Sequence, residues 1–408
     1  MKKITFLATA LLLSMSSFAQ QALFDNVPVV SPEVIAIDTV TFGLNAPNAQ
    51  TVQITGDFLP TKQIDTPVGK YDAPGVADLV KDDKGVWSCT STNLSPELYS
   101  YNLILDGVKI VDPGSVYITR DITSETNIFI LSDKKGDCGD LYTVNEVPHG
   151  NVQKVWYDSP TLKMQRRMTV YTPAGYDKGK DYPVLFLLDG GGGDDDAWTT
   201  LGRSQHILDN LIATGKAKPM VVVMTNGNPN CQAAPGEWSA GMYVPSFNGY
   251  QGAKAVATMD ESFPDVMNYV ESHYKVGKDK AHRAICGLSM GGGHSFDISR
   301  RFPNKFDYVG LFSAGLHVGK TGDFRSDFYK MLQEDEEAKQ QLATLFKNKP
   351  KLYWIGMGKT DFLYKSTAGL RRYFDEKGYK YTYMETAGGH IWRNWRVYLT
   401  EFAQKIFK

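Results

Sequence analysis

The chain has 408 residues, with 44 Lys and Arg against 45 Asp and Glu and a formal net charge of −1. A balance this close to neutral lacks the basic excess that nucleic acid or an anionic membrane surface selects, so neither partner is expected. The length exceeds one ordinary domain, and 42% hydrophobic with 12% aromatic residues suits packed cores, so two domains are expected.

Met1-Lys2-Lys3, an apolar run over 4–13 and then Ser17-Phe18-Ala19 open the chain. A charged start, a short apolar stretch and a small-x-small cleavage site read as a secretory signal peptide over residues 1–19. That stretch is too short to span a bilayer and no later one reaches about 18 residues, so a soluble protein secreted or held in a periplasm is expected. Its cysteines, Cys89, Cys138, Cys231 and Cys286, would then meet an oxidising compartment. Cys286 ends an apolar strand, where a free thiol simply packs, and any bridge is expected between Cys89 and Cys138.

Residues 20–133 show short β-rich runs at 40–42, 52–54, 86–87, 99–105, 116–118 and 127–131, separated by turn residues and without helical periodicity. This is the pattern of a β-sandwich. Asp106-Gly107 is its strongest hairpin signal. The order of Ala46-Pro47-Asn48, Gly56-Asp57-Phe58, Gly85-Val86-Trp87, Tyr99, Tyr101, Asp106-Gly107 and Asp112-Pro113 resembles the immunoglobulin-like modules, of isoamylase N-terminal and glycogen-binding type, that precede many glycan-active enzymes. Trp87 and Tyr101 fit core positions better than a sugar platform, and no carbohydrate binding is assigned to this half.

A polar linker is expected over 134–151. From 152 to 408 the rhythm changes: apolar strands at 168–171, 184–188, 220–224, 283–286, 308–312, 352–355 and 381–384 alternate with helical patterns at 207–213, 263–273, 290–301, 367–377 and 392–406. Alternation of this kind implies an α/β fold with a mainly parallel sheet covered on both faces, its ligands at the carboxyl ends of the strands. The charged stretch around Asp323, Asp327 and 334–337 reads as a solvated surface insertion.

Within that frame, Gly287-Leu288-Ser289-Met290-Gly291 follows an apolar strand and opens a helix stopped by Phe302-Pro303, which is the form of a nucleophile elbow. A serine hydroxyl needs a base, normally a histidine oriented by a carboxylate, and in α/β-hydrolases the chain order is serine, acid, histidine. Of the histidines after Ser289, His294 lies on the elbow helix and reads as structural, while His317 could line the cleft. His390, in Gly388-Gly389-His390 between the last strand and the last helix, is the expected base. Asp361, just past the strand at 352–355, is the expected acid, with Glu385 in reserve. For the oxyanion, the amide of Met290 should be one donor, and Gly191 in Asp189-Gly190-Gly191-Gly192-Gly193-Asp194 the other. A phosphate cradle is the rival reading of these glycines, but no Lys-Ser or Lys-Thr follows them. Trp198, Trp238 and Trp392, with Phe247 and Tyr250, fall on expected loops near the cleft and could hold an aromatic acyl group or a sugar.

With these residues placed, 148–408 resembles the esterase D-like α/β-hydrolases, in particular feruloyl and acetyl-xylan esterases of carbohydrate esterase family one. The resemblance rests on Pro148-His149-Gly150, Val155-Trp156-Tyr157, Arg166 to Tyr171, Pro183 to Trp198, Gly287 to Gly293, and Gly388-Gly389-His390 with Trp392 and Trp395. It implies hydrolysis of ester decorations on plant cell-wall polysaccharide of the xylan type through an acyl-enzyme, with no metal or other cofactor. One position departs from the pattern: Asp189 stands where such enzymes usually carry histidine. A carboxylate about 8 Å from a developing oxyanion would cost on the order of 2 kcal/mol at an effective dielectric near 20, unless neutralised. Related mycolyltransferases carry Asp-Gly here. A siderophore trilactone esterase and a glycan-binding protein with a decayed hydrolase domain are the competing readings.

Overall fold

A computed structural model describes residues 29–66, 69–234, 236–237, 255–318 and 327–408; the expected signal peptide and Trp238, Phe247 and Tyr250 lie outside them. In the amino-terminal half, period-two burial sets each strand on one face of a sheet. Val52–Gly56 buries Val52, Ile54 and Gly56 and turns Gln53 and Thr55 partly outward. One sheet runs Glu33–Ala36, Thr39–Asn45, Val86–Ser91, Val80–Lys81; the other runs Ile118–Asp121, Ser124–Leu131, Glu97–Leu105, Val52–Gly56, Gly75–Asp78. Residues of both sheets, among them Phe42, Ile54, Trp87, Tyr101 and Phe129, share one core, so the half is a β-sandwich. The Asp106-Gly107 hairpin takes φ of 47° and 85°, the positive pair that a tight two-residue turn demands. Trp87 and Tyr101 face inward: the indole N–H donates to the Ala46 carbonyl (2.9 Å) and the phenol to Asp112 (2.8 Å).

The stretch expected to be a linker is docked instead. Asp137 caps a short helix, Cys138–Tyr142, whose Tyr142 is buried, and Asn210 donates to the carbonyls of Asp140, Leu141 and Thr143. Cys89 and Cys138 are free thiols, against the expected bridge between them. The reason is their placement: Cys89 packs on the sandwich core, whereas Cys138 packs on the core of the following half.

That half is built on eight strands in the order Asn151–Ser159, Met164–Thr172, Val221–Thr225, Val184–Leu188, Arg283–Leu288, Tyr308–Phe312, Leu352–Gly358, Thr382–Thr386. The first two strands join antiparallel, and from Val221–Thr225 onward all neighbours are parallel. Alternate residues feed two cores: Phe186, Val223 and Ile285 face the helices Met259–His273 and Met290–Arg301, while Leu187, Val222 and Cys286 face Ser204–Ala213 and Trp392–Ala403. The stretch expected to be a solvated insertion supplies two helices, Phe328–Glu334 and Glu336–Lys347, which bury Phe328, Leu332, Ala338, Leu342 and Leu345 on one face. The chain leaves Val184–Leu188 toward one edge of the sheet and returns beside it as Arg283–Leu288 on the other side. The loops after these two strands therefore flank the crevice where such sheets bind ligands.

Candidate active site

Ser289 joins the strand Arg283–Leu288 to the helix Met290–Arg301 at φ 52° and ψ −113°, a strained conformation for a residue with a side chain. Three backbone hydrogen bonds impose it. Ser289 N–H donates to the Phe312 carbonyl (2.9 Å), and its own carbonyl accepts from Gly293 (3.0 Å) and Gly315 (2.8 Å). The flanking glycines make the turn possible by letting backbones meet. A Cβ at Gly287 would lie 2.6 Å from the Gly291 carbonyl group, and one at Gly291 would lie 2.4 Å from the Asp189 carbonyl oxygen.

His390 lies in the loop between Thr382–Thr386 and Trp392–Ala403, and Asp361 just past Leu352–Gly358. Backbone bonds tie the two loops together: Lys359 N–H to Thr386 (2.9 Å) and Thr360 N–H to Gly388 (3.0 Å). His390 Nδ1 stands 3.1 and 3.0 Å from the two oxygens of Asp361, whose side chain is fully buried and also accepts from the Leu363 amide (2.9 Å). A carboxylate on Nδ1 fixes the tautomer with the proton on that nitrogen and leaves Nε2 basic. Phe362 and Trp395 wall the imidazole, at ring-centre distances of 4.5 and 4.9 Å. The reserve acid Glu385 is engaged elsewhere, accepting from the hydroxyls of Tyr364 (2.8 Å) and Tyr383 (3.0 Å). His317 is exposed, and His294 is half-buried on the elbow helix, where desolvation of its ring holds its pKa down at about 4.

The glycine loop lies against the elbow, for a Cβ at Gly190 would come within 3.5 Å of the Ser289 Cβ. Gly193 N–H closes a turn onto the Gly190 carbonyl (3.1 Å), while the space around Gly191 is open. Three successive carboxylates beyond it each take a cation from a different element. Asp194 pairs with Arg120, Asp195 with Arg167 (2.9 Å) and Asp196 with Lys154. Asp189 is enclosed: Gly227 N–H donates to Oδ1 (3.1 Å), Oδ2 has no hydrogen-bond partner among the described residues, and burial pushes the carboxyl well above its usual range.

Trp198 is no substrate platform. It is 1% exposed, donates its indole N–H to the Leu188 carbonyl (2.9 Å) and packs edge-on against Phe312 and Trp392. Trp392 is half-buried at the start of the last helix, beside Trp395. The sequence reading missed the sandwich's own contribution to this end of the sheet. Asp121, at the tip of the hairpin formed by Ile118–Asp121 and Ser124–Leu131, lies within reach of the Trp392 indole and of the His390 charge; burial raises its carboxyl, and Trp392, Arg120 and His390 oppose the shift. Deeper in the same boundary, buried Arg396 donates to Glu97 (3.2 Å) and to the carbonyls of Leu98 and Leu201 (both 3.1 Å). Such contacts join residues about 300 positions apart, and no local pattern encodes them.

Comparisons with known proteins agree with this architecture. The Esterase family model matches residues 159–406. The chain is 28% identical over 389 residues to an endo-1,4-beta-xylanase/feruloyl esterase of Xylanibacter ruminicola, covering 91% of this chain and 48% of that protein. It thus spans about half the length of that relative. Among solved structures it is similar to a ferulic acid esterase, with 25% identity and a TM-score of 0.50 over 63% of this chain and 97% of that one. It also superposes on the enterobactin esterase of Shigella flexneri with a TM-score of 0.59, over 91% of this chain and 94% of that one; at 14% identity this speaks to the fold alone. An elbow serine, a histidine paired with a carboxylate on neighbouring loops and a family match over most of the second half lead to one conclusion: the chain belongs to the Esterase family of carboxylic ester hydrolases.

Proposed function

We propose that the protein hydrolyses feruloyl or acetyl esters carried by xylan-type plant polysaccharides, with Ser289 as nucleophile, His390 as base and Asp361 as the carboxylate that orients it. The observation that carries this reading is the two-oxygen contact of Asp361 with His390 Nδ1, on loops locked together at the same end of the sheet as the strained Ser289. In the first half-reaction His390 Nε2 takes the Ser289 proton as Oγ attacks the ester carbonyl. The amides of Met290 and Gly191 receive the oxyanion, and His390 returns the proton to the departing sugar hydroxyl. Water, deprotonated by the same imidazole, then cleaves the acyl-enzyme and frees the acid and Ser289. Phe362, beside the histidine, and half-buried Trp392 at the start of the following helix offer apolar surface to an acyl group.

The substrate assignment draws on the names of the relatives, and export rests on residues 1–19. Release of ferulate and of acetate from arabinoxylan, with Ser289→Ala as control, tests the proposal. Ferulate or acetate freed by the wild type and not by the variant supports it. Release of neither acid by a wild type that still cleaves a simple aryl ester removes the polysaccharide from it.

A further inference from the structure

Asp189 departs from the resemblance at the most charge-sensitive point of the site, and its surroundings decide what state it is in. It is 1% exposed, at the junction of three backbones: its own glycine turn, the start of the elbow helix and the loop at Asn226-Gly227. Its carbonyl oxygen abuts Gly291, its Oδ2 lies 3.0 Å from the Cβ position of Gly193, and its Oδ1 lies 3.1 Å from that of Gly227. The three carboxylates that follow on the same loop each have a cation, whereas among the described residues no ion pair reaches Asp189. The charged groups facing it from its own loop are Asp194 and Asp195, which disfavour a further negative charge, and their cations Arg120 and Arg167 are spent on them. From the elbow helix it is faced by His294, which borders the same Gly227 position at 3.1 Å but is held neutral by its burial; Asp260 and His317 lie beyond that histidine. The Gly227 loop adds an amide only. Among the described residues, an ionised carboxylate here would keep one buried oxygen with neither hydrogen bond nor counter-ion. A carboxylic acid leaves at worst one unpaired hydroxyl, a far smaller desolvation cost.

We propose that Asp189 is a positioning residue of the oxyanion site that works as a neutral carboxylic acid: Oδ1 holds the Gly227 amide, Oδ2 carries the proton against Gly193, and the glycine turn is braced without a negative charge beside the developing oxyanion. The proposal rests on the serine-esterase reading above. It also explains how an aspartate can replace a histidine at this point and leave the site active.

The test is the pH dependence of aryl ester hydrolysis by the wild type and by Asp189→Asn, an isosteric side chain that cannot ionise. Taken relative to its own value at neutral pH, the kcat of the Asn variant is expected to stay level as pH rises. It should part from the wild type only as pH rises, because ionisation of Asp189 would slow the wild type about 30-fold, from a charge about 8 Å away at an effective dielectric near 20. A folded Asn variant that has lost more than about 30-fold at neutral pH overturns the proposal, and is what an ion pair with His294 would give. A second measurement needs neither a variant nor activity. In a crystal structure of the wild type at atomic resolution, the Cγ–Oδ2 bond should be longer than Cγ–Oδ1, and equal lengths overturn the proposal. A wild type without esterase activity but with unequal bonds would refute the esterase reading and leave the neutral acid standing.

Discussion

Gly291→Ala is the sharpest probe of the elbow, because the structure fixes how far the backbone must move. A methyl group at this position would stand 2.4 Å from the Asp189 carbonyl oxygen and 2.6 Å from the carbonyl carbon and oxygen of Leu188. All three are backbone atoms of a strand end and its loop, and that strand is paired on both sides, so it cannot retreat. Restoring ordinary contact at about 3.4 Å requires the helix Met290–Arg301 to shift by about 1 Å, and the Met290 amide and Ser289 move with it. A misplacement of about 1 Å costs on the order of 100-fold, and loss of one oxyanion donor about 100- to 1000-fold. The expected result is therefore a fall of about 100-fold in kcat on a simple aryl ester, with KM little changed. Overpacking of this kind costs about 1–3 kcal/mol, which leaves the fold intact. Gly191→Ala is the matched control. Among the described residues its Cβ would meet nothing within 4 Å and its φ is not positive, so this variant should keep the wild-type melting temperature and serves as the packing control. A folded Gly291→Ala variant with wild-type kcat would refute the claim that glycine is needed here to seat the nucleophile.

Three further outcomes are expected. Asp361→Asn should lower kcat about 10,000-fold with little change in stability, since the amide cannot hold the His390 tautomer that leaves Nε2 basic; steady-state kinetics and a thermal melt read both. Glu97→Ala should cost about 3–5 kcal/mol in urea unfolding, because Arg396, with a side chain only 3% exposed, would be left with carbonyl partners alone; Glu97→Gln should cost less. Asp189→Asn should change how stability follows pH. Because burial raises the Asp189 carboxyl in the folded state, the native protein keeps a proton that the unfolded chain releases. Its stabilising share is complete below the usual carboxylate range and is lost as pH climbs toward the folded value. The Asn variant has no such loss, so its melting temperature should gain on that of the wild type from about pH 4 upward.

What could be read from the chain was whatever local chemistry encodes. Gly287, Ser289 and Gly291 are legible as a turn because Gly287 meets Gly291 only four residues on, whereas the contact of Gly291 with Leu188 and Asp189, about 100 residues back, has no local signature. Asp361 could be placed because it follows a strand whose apolar run is plain, and His390 because its Gly-Gly turn lies between the last strand and the last helix. Apart from the cysteine pairing, where expectation and fold differ the cause is the same: polarity or loop membership does not by itself mean solvent. Trp198 follows a polar loop, yet its indole turns inward to the Leu188 carbonyl. The stretch 134–151 is polar because Asp137 caps a helix and its carbonyls are used by Asn210. The helices Phe328–Glu334 and Glu336–Lys347 did carry a signal, since Phe328 with Leu332 and Ala338 with Leu342 repeat at four residues. There the surrounding charge hid an amphipathic face.

The run Asp194-Asp195-Asp196 shows what the sequence could not carry even in principle. Read locally it is a patch of repulsion next to an oxyanion site, and nothing in it names its partners. In the folded chain the three charges are drawn apart by Arg120 from the sandwich and by Arg167 and Lys154 from the antiparallel edge of the large sheet. Each pair on its own is worth little where it is exposed, about 1 kcal/mol or less. Together they hold one end of the glycine loop from three directions, while Asp189 at the other end has no cation among the described residues and packs against the elbow. The sandwich thus enters the catalytic half at two levels. Arg120 and Asp121 meet the loops of the site, and below them the buried pair of Glu97 with Arg396 fixes the helix that follows His390. The two halves, so different in rhythm along the chain, therefore meet through specific charged contacts at the end of the sheet that carries Ser289, Asp361 and His390.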